Sequence, residues 1–270
     1  MCQLIVKPSG VEFPKKEYLK NSYDANSDGI GVGFYRQGES KVTIVKGIKT
    51  LKKLNRFIKV NLTKDDLVMI HFRFATAGKV DQGNTHPFPI SSSVKELRKL
   101  QGSYDYIVAH NGVFPGLSGH EKLSDTQKFI RDVLSSPSVY ERLDDPAMIN
   151  LLNGYLLGSK LAIFNSTSRY YLLGHFIEDQ GCFYSNGCYN YEVSIVNDAI
   201  QARYDYAVDN KGNYKDQGYT SITEYCEVCL KECDKDIMFN VSSDNELYQR
   251  FYCKGCMQRS KDNNYSLIDE

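Results

Sequence analysis

At 270 residues the chain is long enough for one large or two ordinary domains. Lysine plus arginine balances aspartate plus glutamate at 33 each, so no net field draws the protein to nucleic acid or to a membrane surface, although a local basic patch would escape this count. Neutrality also makes association with a partner, or with a second copy as a homo-oligomer, inexpensive. No apolar run approaches a membrane span, and the amino terminus lacks a basic stretch followed by an apolar core. A cytoplasmic location is therefore expected, where thiols stay reduced and the eight cysteines need explanations other than disulfides.

In chain order, Gln3-Leu4-Ile5-Val6 reads as a strand that begins directly after Met1-Cys2. Removal of Met1, which a small second residue permits, would leave Cys2 with a thiol and a free α-amine. These groups titrate near ~8.5 and ~8, so the amine can act as base toward its own thiol. The plain alternative is a small buried apolar residue in the first strand. Residues 11–28 are polar and aperiodic, which predicts a loop with a short helix near residues 15–20. In Ile30-Gly31-Val32-Gly33-Phe34 the alternate glycines predict a strand against which another backbone packs closely. The glycine spacing is wrong for a dinucleotide fingerprint. Val42 to Ile48 is a further strand, and Leu51, Leu54, Phe57 and Ile58 recur at helical spacing to cover it.

Residues 71–88 read HFRFATAGKVDQGNTHPF. Alternation from Val68 puts Val68, Ile70, Phe72 and Phe74 on a core face, with Met69, His71 and Arg73 on the opposite surface, just before a turn at Gly78. Arg73 is the residue type that grips a carboxylate with two parallel hydrogen bonds, though a solvated arginine on a half-buried strand fits as well. Residues 91–99 are expected to be a short helix or loop. Tyr106 to Ala109 is a strand ending in His110-Asn111-Gly112. An Asn side chain and a Gly N–H together supply the donors of an oxyanion hole, and Asn-Gly is equally the strongest short turn signal. Ser124-Asp125-Thr126-Gln127 fits a capping box followed by an apolar stripe, with Asp125 in the first turn. Asp145-Pro146 opens another helix that Gly158 closes. Strands follow at 160–164 and 170–174, joined by a turn at 165–168. A hairpin is predicted over 182–191, centred on Asn186-Gly187, with Cys182 and Cys188 as packing residues.

Residues 204–218 are poor in apolar side chains, which predicts a first domain at 1–205, a linker at 206–221 and a small module at 222–270. That module carries Cys226-x-x-Cys229 and Cys253-x-x-Cys256, with Cys233 to spare. Two such knuckles fit one structural Zn2+ held by four thiolates, and in a reducing compartment zinc is favoured over disulfides. The segment is too small and polar to hold itself together without such a staple.

Arg73, Thr76, Gly78, His86, Pro87 and Phe88 together resemble the glutamine-binding segment of class II glutamine amidotransferases. Three further pieces of that pattern occur in register: Cys2, Asn111-Gly112 and Ser124-Asp125-Thr126, so the resemblance covers about residues 2–200. It implies an α+β fold, the four-layer αββα sandwich of N-terminal-nucleophile hydrolases. Cys2 would be the nucleophile and Asn111 and Gly112 the oxyanion donors. Arg73 would take the α-carboxylate of glutamine and Asp125 its α-ammonium, while Thr76 and His86 shape the pocket. Catalysis would need no cofactor. Asp28-Gly29-Ile30-Gly31 looks like the strand of stand-alone members, since synthase-fused members carry an Arg-Gly pair where this chain has Ala25-Asn26. The ammonia would go to a separate enzyme. Two other readings are a stand-alone hydrolase of small γ-glutamyl compounds, and a binding module with a vestigial pocket acting through its zinc ribbon. The four motifs argue against the latter. The ribbon suits a partner interface, although such modules also bind nucleic acid.

Overall fold

The computed structural model describes residues 2–74, 81–114, 116–117, 123–156 and 158–190, and the backbone alone of 224–225, 232–233, 239–243 and 246–252. The chain divides into two compact units, Met1–Tyr191 and Glu192–Glu270.

In the first unit the order is β1 (Gln3–Lys7), α1 (Lys16–Ala25), β2 (Ile30–Tyr35), β3 (Val42–Ile48), α2 (Leu51–Asn61), β4 (Leu67–Phe72), β5 (Phe88–Pro89), α3 (Val94–Arg98), β6 (Gln101–Tyr104) and β7 (Tyr106–Asn111). Then come α4 (Asp125–Phe129), a π turn at Ile130–Leu134, α5 (Pro137–Tyr140), α6 (Pro146–Tyr155), β8 (Lys160–Asn165), β9 (Tyr170–Leu173), β10 (Ile177–Asp179) and β11 (Cys182–Tyr184). Two antiparallel sheets result, ordered β10-β11-β1-β4-β2-β3-β6 and β5-β7-β8-β9.

The sheets pack face to face. Leu4, Val6, Ile44, Leu67 and Met69 of the first meet Ile107, Ala109, Ala162 and Phe164 of the second. Each of these side chains other than the alanines, fully buried, stabilises by about 1.5–3 kcal/mol. The glycines of β2 set how closely the sheets approach. A Cβ on Gly31 would lie 1.8 Å from the His86 carbonyl oxygen, and one on Gly33 would lie 2.3 Å from Ile107 Cδ1. With Gly31 and Gly33 facing inward, Ile30, Val32 and Phe34 face the helices, and Phe34 meets Phe57 of α2 at 6.2 Å between ring centroids. On the outer face of the second sheet, Val108, Leu161, Ile163 and Leu173 pack against Phe129, Ile130, Leu134, Leu152 and Leu156. Helices thus cover both outer faces.

Three expectations need correction. β4 is central in its sheet and covered on both faces, by the second sheet on one and the helical layer on the other: Met69 and His71 are as enclosed as Val68 and Phe72. Phe74, expected in the core, is 46% exposed because the strand stops at Phe72 and the pleat no longer governs its direction. The hairpin expected around Asn186-Gly187 sits earlier. β10 and β11 are joined through Gln180 and Gly181, both at positive φ, while Gly187–Tyr189 forms a 3-10 turn. A main-chain turn followed by a side-chain-capped one looks alike in sequence, since Asn186 Oδ1 accepts from Cys188 N–H.

In the second unit, β12 (Glu224–Tyr225) pairs antiparallel with β13 (Glu232–Cys233), and β14 (Phe239–Ser243) with β15 (Glu246–Tyr252). Cys226, Cys229, Cys253 and Cys256 lie outside the described residues.

Candidate active site

The register of β1 against β4 pairs Leu4 with His71 and Gln3 with Phe72, so one step further Cys2 stands opposite Arg73 at the mouth of the space between the sheets. The Cys2 sulfur accepts the Phe74 N–H at 3.3 Å and lies 3.6 Å from the Phe74 carbonyl oxygen. Partial burial pushes its thiol up. The Phe74 N–H, the positive amino terminus and Arg73 pull it down, but less strongly. The Cys2 carbonyl accepts from Asn186 Nδ2 at 2.8 Å, which ties the start of β1 to the turn after β11.

Arg73 is anchored at its backbone, donating to the Gly29 carbonyl at 2.8 Å and accepting from Asp28 N–H at 3.0 Å. Its Nη1 donates to the Asp81 carbonyl at 2.9 Å. The Asp81 carboxylate is paired with Arg98 at 2.5 Å, and that hydrogen bond is the largest influence holding it below the usual carboxylate range. Below this loop Lys46 is buried, donating to the carbonyls of Gly83 and Leu97. Desolvation first, then the Arg98 charge, lowers it to about 7.

Asn111 ends β7 on the face shared with Ile107 and Ala109, and is 5% exposed. Its Nδ2 donates to Ser185 Oγ at 2.8 Å. Gly112 follows at φ 147°, where a Cβ would lie 2.1 Å from Ser159 Oγ, so both conformation and space require glycine. Ser124 and Gln127 form the capping box at α4, and Gln127 Nε2 also donates to the Gly83 carbonyl. Asp125 is held in place by donation from Phe114 N–H and Thr126 N–H, both at 2.8 Å, one to each carboxylate oxygen.

His86 does not line an open surface. It is buried, with its ring centroid 4.4 Å from His71, 4.6 Å from Phe88 and 6.4 Å from His110. His110 Nδ1 hydrogen-bonds Thr126 Oγ1 at 2.9 Å. The other ring nitrogens of this trio lack a well-formed partner among the described residues. Burial is the main cause that lowers all three: His71 to about 3, His110 to about 4, and His86 well below the ordinary value. A weak approach to the His110 backbone opposes the shift of His71, the smallest of its influences. Burial thus favours the neutral form of all three rings.

Thr76 lies outside the described residues. Cys182 is buried, and burial pushes it and Cys188 up to about 11, as suits packing thiols. No group of metal-binding side chains occurs among the described residues. Sequence reasoning missed Ser185, Asn186 and Lys46, whose contacts with the site are long-range; only the Asn186-Gly187 pair carried a signal, and it read as a turn.

The arrangement offers a thiol, an amide donor, a guanidinium and a carboxylate in fixed backbone settings. Residues 11–133 match the family model described as glutamine amidotransferases class-II, a stretch that includes Arg73, Asn111, Gly112 and Asp125 and begins after Cys2. A curated Haemophilus influenzae protein, provisionally named a glutamine amidotransferase, is 29% identical over 118 residues, which cover 42% of this chain and 37% of that protein. The similarity thus spans little more than a third of that relative's length. Both similarities are to glutamine amidotransferases. No helix among the described residues is long and apolar enough to cross a membrane.

Proposed function

We propose that this protein hydrolyses the side-chain amide of glutamine with Cys2 as nucleophile and delivers the ammonia to a separate partner enzyme. The observation that carries this reading is the Cys2 sulfur held 3.3 Å from the N–H of Phe74, the residue after Arg73, in the same unit as Asn111 and Asp125. With Met1 removed, the Cys2 α-amine accepts the thiol proton, and the thiolate attacks the carboxamide carbon. Asn111 Nδ2 and Gly112 N–H stabilise the oxyanion, each such donor contributing roughly 3 kcal/mol. Arg73 takes the α-carboxylate through the N–H groups not given to Asp81, and Asp125 takes the α-ammonium through its remaining lone pairs. Holding both ends of the amino acid fixes the amide over the sulfur. The ammonium form of the amine protonates the departing ammonia, and water hydrolyses the γ-glutamyl thioester. The two-sheet packing with helices outside agrees with an N-terminal-nucleophile hydrolase sandwich.

Cys226, Cys229, Cys253 and Cys256 are proposed to hold one structural Zn2+. The first pair falls in the connection between β12 and β13, and the second follows directly after β15. β12 lies beside β15, so the strands leading into the two pairs are neighbours. Four thiolates close the coordination sphere and leave the metal no catalytic position. Such a module suits contact with the ammonia-accepting partner.

The deciding experiment measures glutamate release from glutamine by the purified chain, alone and in lysate. A low basal rate that rises with a partner supports the reading. No release in either condition overturns it.

A further inference from the structure

We propose that Ser185 is a positioning residue that fixes the Asn111 carboxamide relative to the strand carrying Cys2, an inference that rests on the amide-hydrolase reading above. Ser185 is 2% exposed and stands immediately after β11. Its backbone N–H donates to the Leu4 carbonyl at 2.9 Å. Its Oγ accepts from Leu4 N–H at 2.9 Å and from Asn111 Nδ2 at 2.8 Å. One hydroxyl therefore joins the two sheets at the point where β1 leads back to the nucleophile and β7 ends at the oxyanion donor.

The chemistry of the two groups gives this bridge its consequence. A hydroxyl oxygen has two acceptor positions, and here Leu4 and Asn111 fill both. A carboxamide has two N–H donors; Ser185 takes one, and planarity of the amide then fixes where the second points. Without that bond the Asn111 side chain would turn about a broad terminal torsion, and its donor would be spread over many directions. Oxyanion stabilisation depends on donors that are aimed before charge develops, so freedom at Asn111 costs turnover rather than binding. Leu4 lies two residues from Cys2 on the same strand face, so the bridge references the donor to the nucleophile's own strand. Asn186, the next residue, adds its bond to the Cys2 carbonyl at 2.8 Å. Residues 185–186 thus hold the nucleophile strand and the oxyanion donor through one dipeptide.

Two measurements test this. In the kinetic cycle, Ser185→Ala should lower kcat by about 10- to 100-fold with KM little changed, below the full loss expected when an oxyanion donor is removed. In an Asn111→Ala background the same change should lower kcat less than about two-fold, because the partner it acts through is gone. Losses that multiply in the double variant would overturn the proposal, since they would mark Ser185 as a support of β1 alone. In the unmodified chain, an NMR Overhauser contact should join one Asn111 amide proton, and not the other, to the Ser185 methylene. Absence of that contact overturns the proposal even where Ser185→Ala fails to fold. A chain that shows the contact but releases no glutamate overturns the amide-hydrolase reading instead.

Discussion

The Phe74 backbone N–H points at the Cys2 sulfur from 3.3 Å, so the residue after Arg73 donates to the thiol that Arg73 faces. The bond favours the thiolate, yet burial outweighs it and the thiol is raised. Reactivity should therefore grow with pH. Alkylation of Cys2 by iodoacetamide should accelerate through a midpoint above the ordinary thiol value in chains that keep Met1. Removal of Met1 should move that midpoint down, because the cation then sits on Cys2 itself. A midpoint at or below the ordinary value with Met1 retained would contradict this balance.

Arg73→Lys should be poorly tolerated. An ammonium cannot donate to the Asp81 carbonyl and present a fork to a carboxylate at once. The expected loss in glutamine binding is about 2–3 kcal/mol, seen as a rise in KM. An unchanged specificity constant would assign Arg73 to loop support.

Gly112→Ala should impair folding and activity together. The residue sits at φ 147°, and its new methyl would meet Ser159 Oγ. Strain and overlap should cost on the order of 1–3 kcal/mol, read as a lower urea midpoint. Adding Ser159→Gly should recover most of the steric part, the backbone Cα at 3.0 Å remaining, and leave the conformational part.

Acid should unfold the domain through the buried trio His71, His86 and His110. Folded His71 and His110 are lowered to about 3 and about 4, and His86 is lowered too, whereas unfolded histidines titrate near ~6.5. Stability is then full above that unfolded value and falls as pH drops toward 4, because only the unfolded chain takes up protons. With three groups contributing, the slope approaches ~4 kcal/mol per pH unit. Urea midpoints at pH 7, 5.5 and 4.5 check this; equal midpoints would show that the trio is hydrated and free to ionise.

Loss of the proposed zinc should affect the second unit alone. Chelation from the full chain should expose residues beyond about 219 to proteolysis while glutamine hydrolysis continues. Freshly purified protein without zinc would remove the metal from the account. Cys253→Ser with unchanged zinc content would point to Cys233 as the replacement ligand.

Signals carried by neighbours in the chain were readable from sequence. The Ser124–Gln127 box needs only adjacent residues, and it forms as expected. The strand ending at Asn111 and the glycine pattern of β2 were readable for the same reason. Features fixed by sheet order were not. Alternation in β4 suggested one wet face, but strands on both sides and a second sheet beneath enclose His71. Ser185 shows the limit most clearly: its partners Leu4 and Asn111 are 181 and 74 positions away, and nothing local marks the residue.

The bare backbone of Gly31 has a consequence for the spacing of the two sheets. Gly31 lies in the row Gly31, His71, Leu4 that crosses β2, β4 and β1, two residues from the thiol. The opposing wall touches it through the His86 carbonyl. A single methyl there would act as a wedge, lifting the first sheet from the second near the start of β1. The gap between the sheets is thus gauged by a hydrogen atom two strands away from β1, and position 31 is where that gap could be adjusted without altering Cys2, Arg73, Asn111 or Asp125.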